Sequence, residues 1–248
     1  MIFRQKTIPN AITTNALVIA DTHGSLNENN FNAFIKDKNI ELIILLGDIE
    51  ISDWNILLNN KTFLNTVKIG ILGNHDKIND INEINRQINN SRINTSSPYY
   101  EEIYDLENNN MPFIFKGISF VGLGRSLKYK NDDTLLTQKQ ALDKINNYPD
   151  ADIVLTHDKP CIDIDTSDTL CKNAHKGLYA IYKYMKDHNC KYNIHGHIHQ
   201  NYIKKFSKNI TEISVYKLGY VQIDKYGMIV IFKFRYAKLA IIKGNANV

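Results

Sequence analysis

The strongest constraint on this chain is a recurring unit: a short apolar run, a polar turn, then an amphipathic stretch. The runs are "ALVIA" (16–20), "LIILL" (42–46), "VKIGIL" (67–72), "DIVLT" (152–156) and "KYNI" (191–194). Near-continuous apolar runs of this length suit strands covered on both faces, and the stretches between them have helical periodicity over 28–38, 53–60, 78–90, 134–147 and 175–188. The expected core is therefore a parallel sheet flanked by helices. Hairpin-like strands are expected around 100–104 and 112–123, and the helix at 134–147 should open on the cap signal Asp132/Asp133/Thr134. After residue 199 the pattern turns all-β, with strands at 202–206 and 210–218 and a hairpin over 220–234 turning at "DKYG". No repeat or linker interrupts the chain. The reading is one mixed α/β domain over 1–248, built as two packed mixed β-sheets flanked by helices.

The residues just past each apolar run matter as much. "VIADTH" delivers Asp21 and His23, "LLGD" Asp48, "ILGNHD" Asn74, His75 and Asp76, and "VLTH" His157. The last run opens "YNIHGHIHQN", which places His195, His197 and His199 on alternate positions in a chain with 8 histidines. Gly196 makes a continued strand doubtful, so His197 and His199 should be presented by a loop at its end. In α/β sheets, side chains just past the carboxyl ends of strands converge on one crevice, where ligands bind. The donors are imidazole, carboxylate and one amide oxygen, without thiolate, a set that suits borderline divalent ions rather than calcium or a structural zinc. Seven ligands are too many for one tetrahedral ion, whereas two ions roughly 3.5–4 Å apart sharing a carboxylate use them well.

Composition narrows the rest. The net charge is +4 with 23% charged residues and no long Lys/Arg block, so the surface tolerates phosphates, and nucleic acid or nucleotide is permitted without being indicated. No stretch approaches the roughly 20 apolar residues that span a membrane, and the N-terminus has no signal-like apolar core, so a cytoplasmic protein is expected. Three cysteines without C-x-x-C spacing (Cys161, Cys171, Cys190) read as reduced thiols.

The blocks "DTH" (21–23), "GD" (47–48), "GNHD" (73–76), "TH" (156–157) and "GHIH" (196–199), in this order, resemble the five motifs of the calcineurin-like metallophosphoesterase superfamily. The resemblance implies that Asp21, His23 and His199 bind one metal, that Asn74, His157 and His197 bind a second, and that Asp48 bridges. It implies two divalent ions, manganese first, with iron, zinc, nickel or magnesium as alternatives. His75 matches the family's leaving-group acid, with Asp76 fixing its tautomer, and His195 has no ligand counterpart. The stretches "VGLGRSLKYK", "THDKPCIDID", "HKGLYAIYKYM" and "ISVYKLGYVQID" are similar to a prokaryotic and phage phosphodiesterase-like branch, with "THDKP" where T-H-x-P-P is common and "ISVY" where I-N-V-Y is common.

The expected activity is hydrolysis of a phosphoester, a diester in first place, by a metal-bridging hydroxide with His75 as general acid. A phosphomonoesterase or protein phosphatase and a nuclease are the alternatives, and a metal-binding interaction scaffold without catalysis is the rival from another class. Arg125 and Lys128, in a Gly-flanked loop, and His175, placed at the start of the "HKG" helix, are candidates for substrate contact. Oligomeric state has no signature in the sequence.

Overall fold

A computed structural model of the chain describes residues 13–76, 81–91, 102–108, 111–163, 170–224, 229–234 and 240–241. The first four strands, β1 (Thr13–Ala20), β2 (Leu42–Leu45), β3 (Val67–Gly70) and β4 (Ile103–Asp105), run parallel in one sheet. The chain then builds a second sheet. A hairpin of β5 (Phe113–Phe115) and β6 (Ile118–Leu123) leads to β7 (Ile153–Thr156) and β8 (Tyr192–His195), both parallel to β6. Two further strands, β9 (Tyr202–Lys205) and β10 (Thr211–Ser214), complete its far side, with β10 parallel to β8.

The last strands return to the first sheet. β11 (Lys217–Asp224) pairs antiparallel with β1 along its whole length, and β12 (Ile229–Phe234) and β13 (Ala240–Ile241) extend that edge. The strand orders are β13-β12-β11-β1-β2-β3-β4 and β5-β6-β7-β8-β10-β9. These are the two mixed sheets that the alternation of runs and helices implies.

Alternation along the strands explains the layers, because successive side chains point to opposite faces. Ala16, Val18, Ala20, Leu42 and Ile44 face the second sheet and meet Phe120, Ile153, Leu155, Ile194 and Ile213 in a shared core. Their neighbours Leu17, Ile19, Ile43 and Leu45 face outward and are covered by helices α1 (Glu28–Ile35), α2 (Ile51–Leu58) and α3 (Lys61–Asn65), through Phe31, Leu57 and Phe63. Burying a side chain such as Phe31 fully stabilises by roughly 1.5–3 kcal/mol. Helix α4 (Ile81–Ser91) adds Ile81 and Ile84 to this layer. On the other side, α5 (Gln138–Ile145) and α6 (Tyr179–Asp187) cover Val121 and Val154 with Ala141, Ile145, Ile181 and Met185.

Several local expectations shift. The short helix expected near 53–60 is α2, and a second one, α3, follows it directly, capped by the Asn60 side chain, which accepts from Phe63 N at 3.1 Å. α3 ends where buried Lys68 donates to the carbonyls of Phe63 and Thr66. α5 starts four residues later than the Asp132/Asp133/Thr134 signal suggests, because Thr137 and Gln140 form a reciprocal capping box there. β4 is not a hairpin partner of β5; it adds to the first sheet beside β3. α6 begins at Tyr179, so residues 175–178 are loop, and the expected "DKYG" turn falls largely outside the described residues.

Candidate metal centre

Each loop of the candidate site starts where a parallel strand ends, so Asp21, Asp48, Asn74, His157 and His197 arrive at one edge of the two sheets. Hydrogen bonds lace the loops together. Asp21 N donates to Gly47 O at 3.1 Å, Gly196 N to His157 O at 3.1 Å, and His197 N to Asp21 Oδ2 at 2.8 Å. The packing leaves no room for side chains at the motif glycines. A Cβ on Gly73 would lie 2.1 Å from Asp48 Oδ1, and one on Gly196 would lie 2.4 Å from Asp21 Oδ2. Both glycines are therefore required by the approach of a carboxylate.

The donor atoms converge in two groups sharing Asp21: Asp21 with His23 and His199, and Asp21 with Asp48 and His157, the atoms of each within 4.8 Å of one another. His23 Nε2 faces His199 Nε2 at 3.0 Å. Asp21 Oδ1 lies 3.5 Å from His199 Nε2 and accepts no hydrogen bond, although Asp21 is fully buried. Asp48 Oδ2 is likewise buried without a hydrogen bond, 3.3 Å from His157 Nε2 and 3.9 Å from His23 Nε2. Asn74 Oδ1 approaches the same His157 nitrogen at 2.9 Å, while His157 Nδ1 donates to Leu46 O at 2.7 Å. Buried acceptors facing one another without donors are costly unless a cation lies between them. The residues present therefore fit divalent ions.

Backbone conformation carries the same mark. Asp21, His23, Asp48, His197 and His199 all have left-handed φ, between 45° and 64°, which non-glycine residues rarely adopt. Strain of this kind concentrates where function over-determines the geometry.

The sequence profile of the family described as calcineurin-like phosphoesterase matches residues 14–201, more than half of the chain. The chain belongs to the calcineurin-like phosphoesterase family. It is thus a metal-dependent phosphoester hydrolase. This phosphoesterase shares its fold with the TT1561 protein of Thermus thermophilus, at 14% identity over 93% of this chain and 100% of that one (TM-score 0.54). It is also similar in fold to the phosphopantetheinyl hydrolase PptH of Mycobacterium tuberculosis, at 11% identity over 84% of this chain and 91% of that one (TM-score 0.50). No curated protein sequence matches the phosphoesterase significantly. Among the described residues, no helix is long and apolar enough to cross a membrane.

Electrostatics in the metal-free phosphoesterase follow from the crowding of donors. Burial works to raise the Asp48 pKa, but the neighbouring His157 overrides it and holds the carboxyl well below its usual range. Burial likewise works against protonated His157, yet the Asp48 carboxylate pushes its pKa up to about 10. A proton there stands in for a cation. His199 is raised by the Asp21 carboxylate beside it, and His197 is lowered by burial.

The remaining site residues need correction or addition. His75 is exposed at the rim, its N donating to Asp48 Oδ1 at 2.7 Å and its ring edge-on to His23 at 5.5 Å. Asp76 does not orient that ring. Its carboxylate accepts the backbone N–H groups of Asp48, Ile49 and Gly73 at 3.0, 3.2 and 2.7 Å, tying the "GD" loop to the "GNHD" loop. Arg125 is turned toward the backbone of the "GNHD" loop. It is 9% exposed, and its Nη1 donates to Gly73 O at 2.8 Å and Asp76 O at 3.2 Å, clamping the loop of His75. Lys128 Nζ lies 4.0 Å from Asp133 Oδ1.

His175, freed from the helix, does reach the site: its exposed ring packs 4.8 Å from that of His197, and His197 Nε2 donates to Ala174 O at 3.0 Å. That bond leaves Nδ1 as the free donor atom of His197. Two further residues lacked a sequence signal. Asp53, fully buried on α2, accepts from Thr22 Oγ1 (2.5 Å), Gly24 N (2.7 Å) and Leu26 N (2.8 Å), and so fixes the "DTH" loop. Tyr216 stacks on the His199 ring at 5.3 Å and 27°.

Proposed function

We propose that the chain is a dinuclear phosphodiesterase working as one domain over 1–248, with Asp21, His23 and His199 at one ion, Asn74, His157 and His197 at the other, and Asp48 between them. The observation that carries this reading is the position of Asp48 Oδ2, buried without a hydrogen bond and flanked by His157 Nε2 at 3.3 Å and His23 Nε2 at 3.9 Å. Two divalent ions, manganese for preference, supply the Lewis acidity and activated water that phosphoester hydrolysis needs.

The chain's own groups do the rest. The Nδ1–H of His157, held on Leu46 O, keeps Nε2 facing Asp48 and Asn74. His75, exposed beside His23, donates a proton to the leaving oxygen. Asp76 and Arg125 fix the loop that presents it. A diester is favoured over a monoester because Arg125, a cation that could have held a second phosphate charge, is committed to backbone carbonyls.

The test is stripped protein reloaded with manganese, nickel, zinc, iron or magnesium and assayed on bis-nitrophenyl phosphate, nitrophenyl phosphate and cyclic nucleotides. The expected result is highest kcat/KM with manganese on the diester. A preference for the monoester would transfer the reading to a phosphomonoesterase, and no hydrolysis of any of them would favour a scaffold.

A further inference from the structure

The loop carrying His197 and His199 holds a shape the backbone resists. Ile198 N donates to Gly196 O at 2.8 Å, closing a three-residue turn around His197, whose φ is 64°. A γ-turn with positive φ at its centre is rare and strained, and persists only where its surroundings impose it. The same Gly196 carbonyl lies 2.8 Å from Nδ1 of His195, a ring with no exposed surface. The other ring nitrogen, Nε2, lies 3.2 Å from Glu212 Oε1 on β10, and Glu212 is 1% exposed. A carbonyl oxygen can only accept, so Nδ1 donates to Gly196 O, while Nε2 faces the Glu212 carboxyl. Tyr202 OH donates to the same Glu212 oxygen, and Lys204 Nζ stands 3.6 Å from Oε2.

We infer that His195 and Glu212 are a positioning pair, in which Glu212 orients His195 and His195 pins the Gly196 carbonyl, so that the strained turn keeps His197 aimed at its ion. The inference rests on the reading of His197 as a ligand. Mere filling of space would not call for this pair, since a buried hydrogen-bonded charge is commonly replaceable by apolar side chains at no loss of stability. The strand register supports the reach: Ser214 sits opposite His195, and Val215 N donates to His195 O at 2.8 Å, so β10 is locked beside the turn it supports.

The experiment compares two substitutions of one residue in the full chain. The amide nitrogen of Asn is as many bonds from Cβ as Nδ1 of His, and that of Gln as many as Nε2. His195→Asn therefore keeps a donor for Gly196 O, and His195→Gln keeps one for Glu212 alone. Manganese is titrated into each stripped variant, with bound metal counted by elemental analysis and folding followed by circular dichroism. For His195→Gln, one ion should bind roughly 10–100-fold more weakly, as when an outer partner of a ligand is lost, with the other unaffected. His195→Asn should restore most of the affinity. Should the His195 variants fail to fold, Glu212→Gln, which keeps shape and removes charge, should show the same selective weakening by a smaller factor. Wild-type affinity for both ions in His195→Gln and Glu212→Gln overturns the inference, as does equal weakening of both ions with no restoration by Asn. A wild type that takes up fewer than two ions refutes the dinuclear centre itself, which distinguishes that failure from this one.

Discussion

Gly73 presses against Asp48 so closely that a single added methyl would sit 2.1 Å from the carboxylate oxygen Oδ1 and 2.6 Å from the Asp48 backbone nitrogen. Two motif blocks 25 residues apart in sequence thus meet as a backbone-to-carboxylate contact, and the position of the Asp48 carboxylate is set by the absence of a side chain across from it.

Gly73→Ala should therefore act on the metal site rather than on the core. The displaced Asp48 carboxylate should cost on the order of 100-fold in kcat/KM, the effect expected of a misplacement near 1 Å. Bound metal should drop in elemental analysis. Full metal content with unchanged rate would mean that the contact relaxes without moving Asp48.

Arg125→Ala should loosen the loop of His75, since it removes donors to Gly73 O and Asp76 O. Charged hydrogen bonds of this kind are worth about 1.5–3 kcal/mol. The expected pattern is a lowered Tm and a lowered kcat, with KM for an anionic substrate nearly unchanged. A rise in KM at constant kcat and Tm would return Arg125 to the phosphate-contact role that its sequence position suggests.

His75→Ala should separate substrates by their leaving groups. A nitrophenolate departs without a proton, whereas a nucleoside alkoxide needs one, and general acid catalysis contributes about 10²–10⁴-fold. The loss should reach that range on an alkyl or nucleoside diester and be distinctly smaller on a nitrophenyl diester, with metal content intact. Equal losses on both would point to positioning.

Metal uptake should release protons. In the metal-free protein the His157 pKa is about 10, above its ordinary 6.5, because the Asp48 carboxylate outweighs burial. An ion that takes the Nε2 lone pair displaces that proton. Titration calorimetry at pH 8 in buffers of different ionisation enthalpy should report proton release on loading. Stability should depend on pH in the same protein. A raised pKa contributes fully below 6.5 and fades as pH rises through about 10, so the Tm of stripped protein should fall across that interval. Proton-neutral loading at pH 8 would show that His157 is already deprotonated.

The candidate ligands were legible because each follows an apolar run that reads as a strand, and strand ends converge in this class of fold. The supports were not, because they act at a distance that local pattern does not encode. Asp53 reads as an ordinary acidic residue in the first turn of a helix, yet its carboxylate serves a loop about 30 positions earlier. Arg125 reads as a loop cation near a crevice, and only the positions of the Gly73 and Asp76 carbonyls turn it inward. The three-residue β4 carries too little pattern to reveal which sheet it joins. Tyr216 lies in a stretch whose aromatic looks like any strand-edge tyrosine until His199 is placed against it.

Sheet order also dictates a timetable. β1 is formed from residues 13–20 but finds its antiparallel neighbour only in residues 217–224, and the Asp21 carboxylate meets the backbone of His197 across a separation of 176 residues. At synthesis rates of about 5–20 residues per second, that separation is on the order of 10–35 s of translation. Throughout that interval the emerging chain holds an apolar strand with one open edge and half of an ion-binding site. The partner strand β11 and the second set of donors then arrive within seconds of each other, so the pairing of β1 and the gathering of the candidate ligands come close together in time.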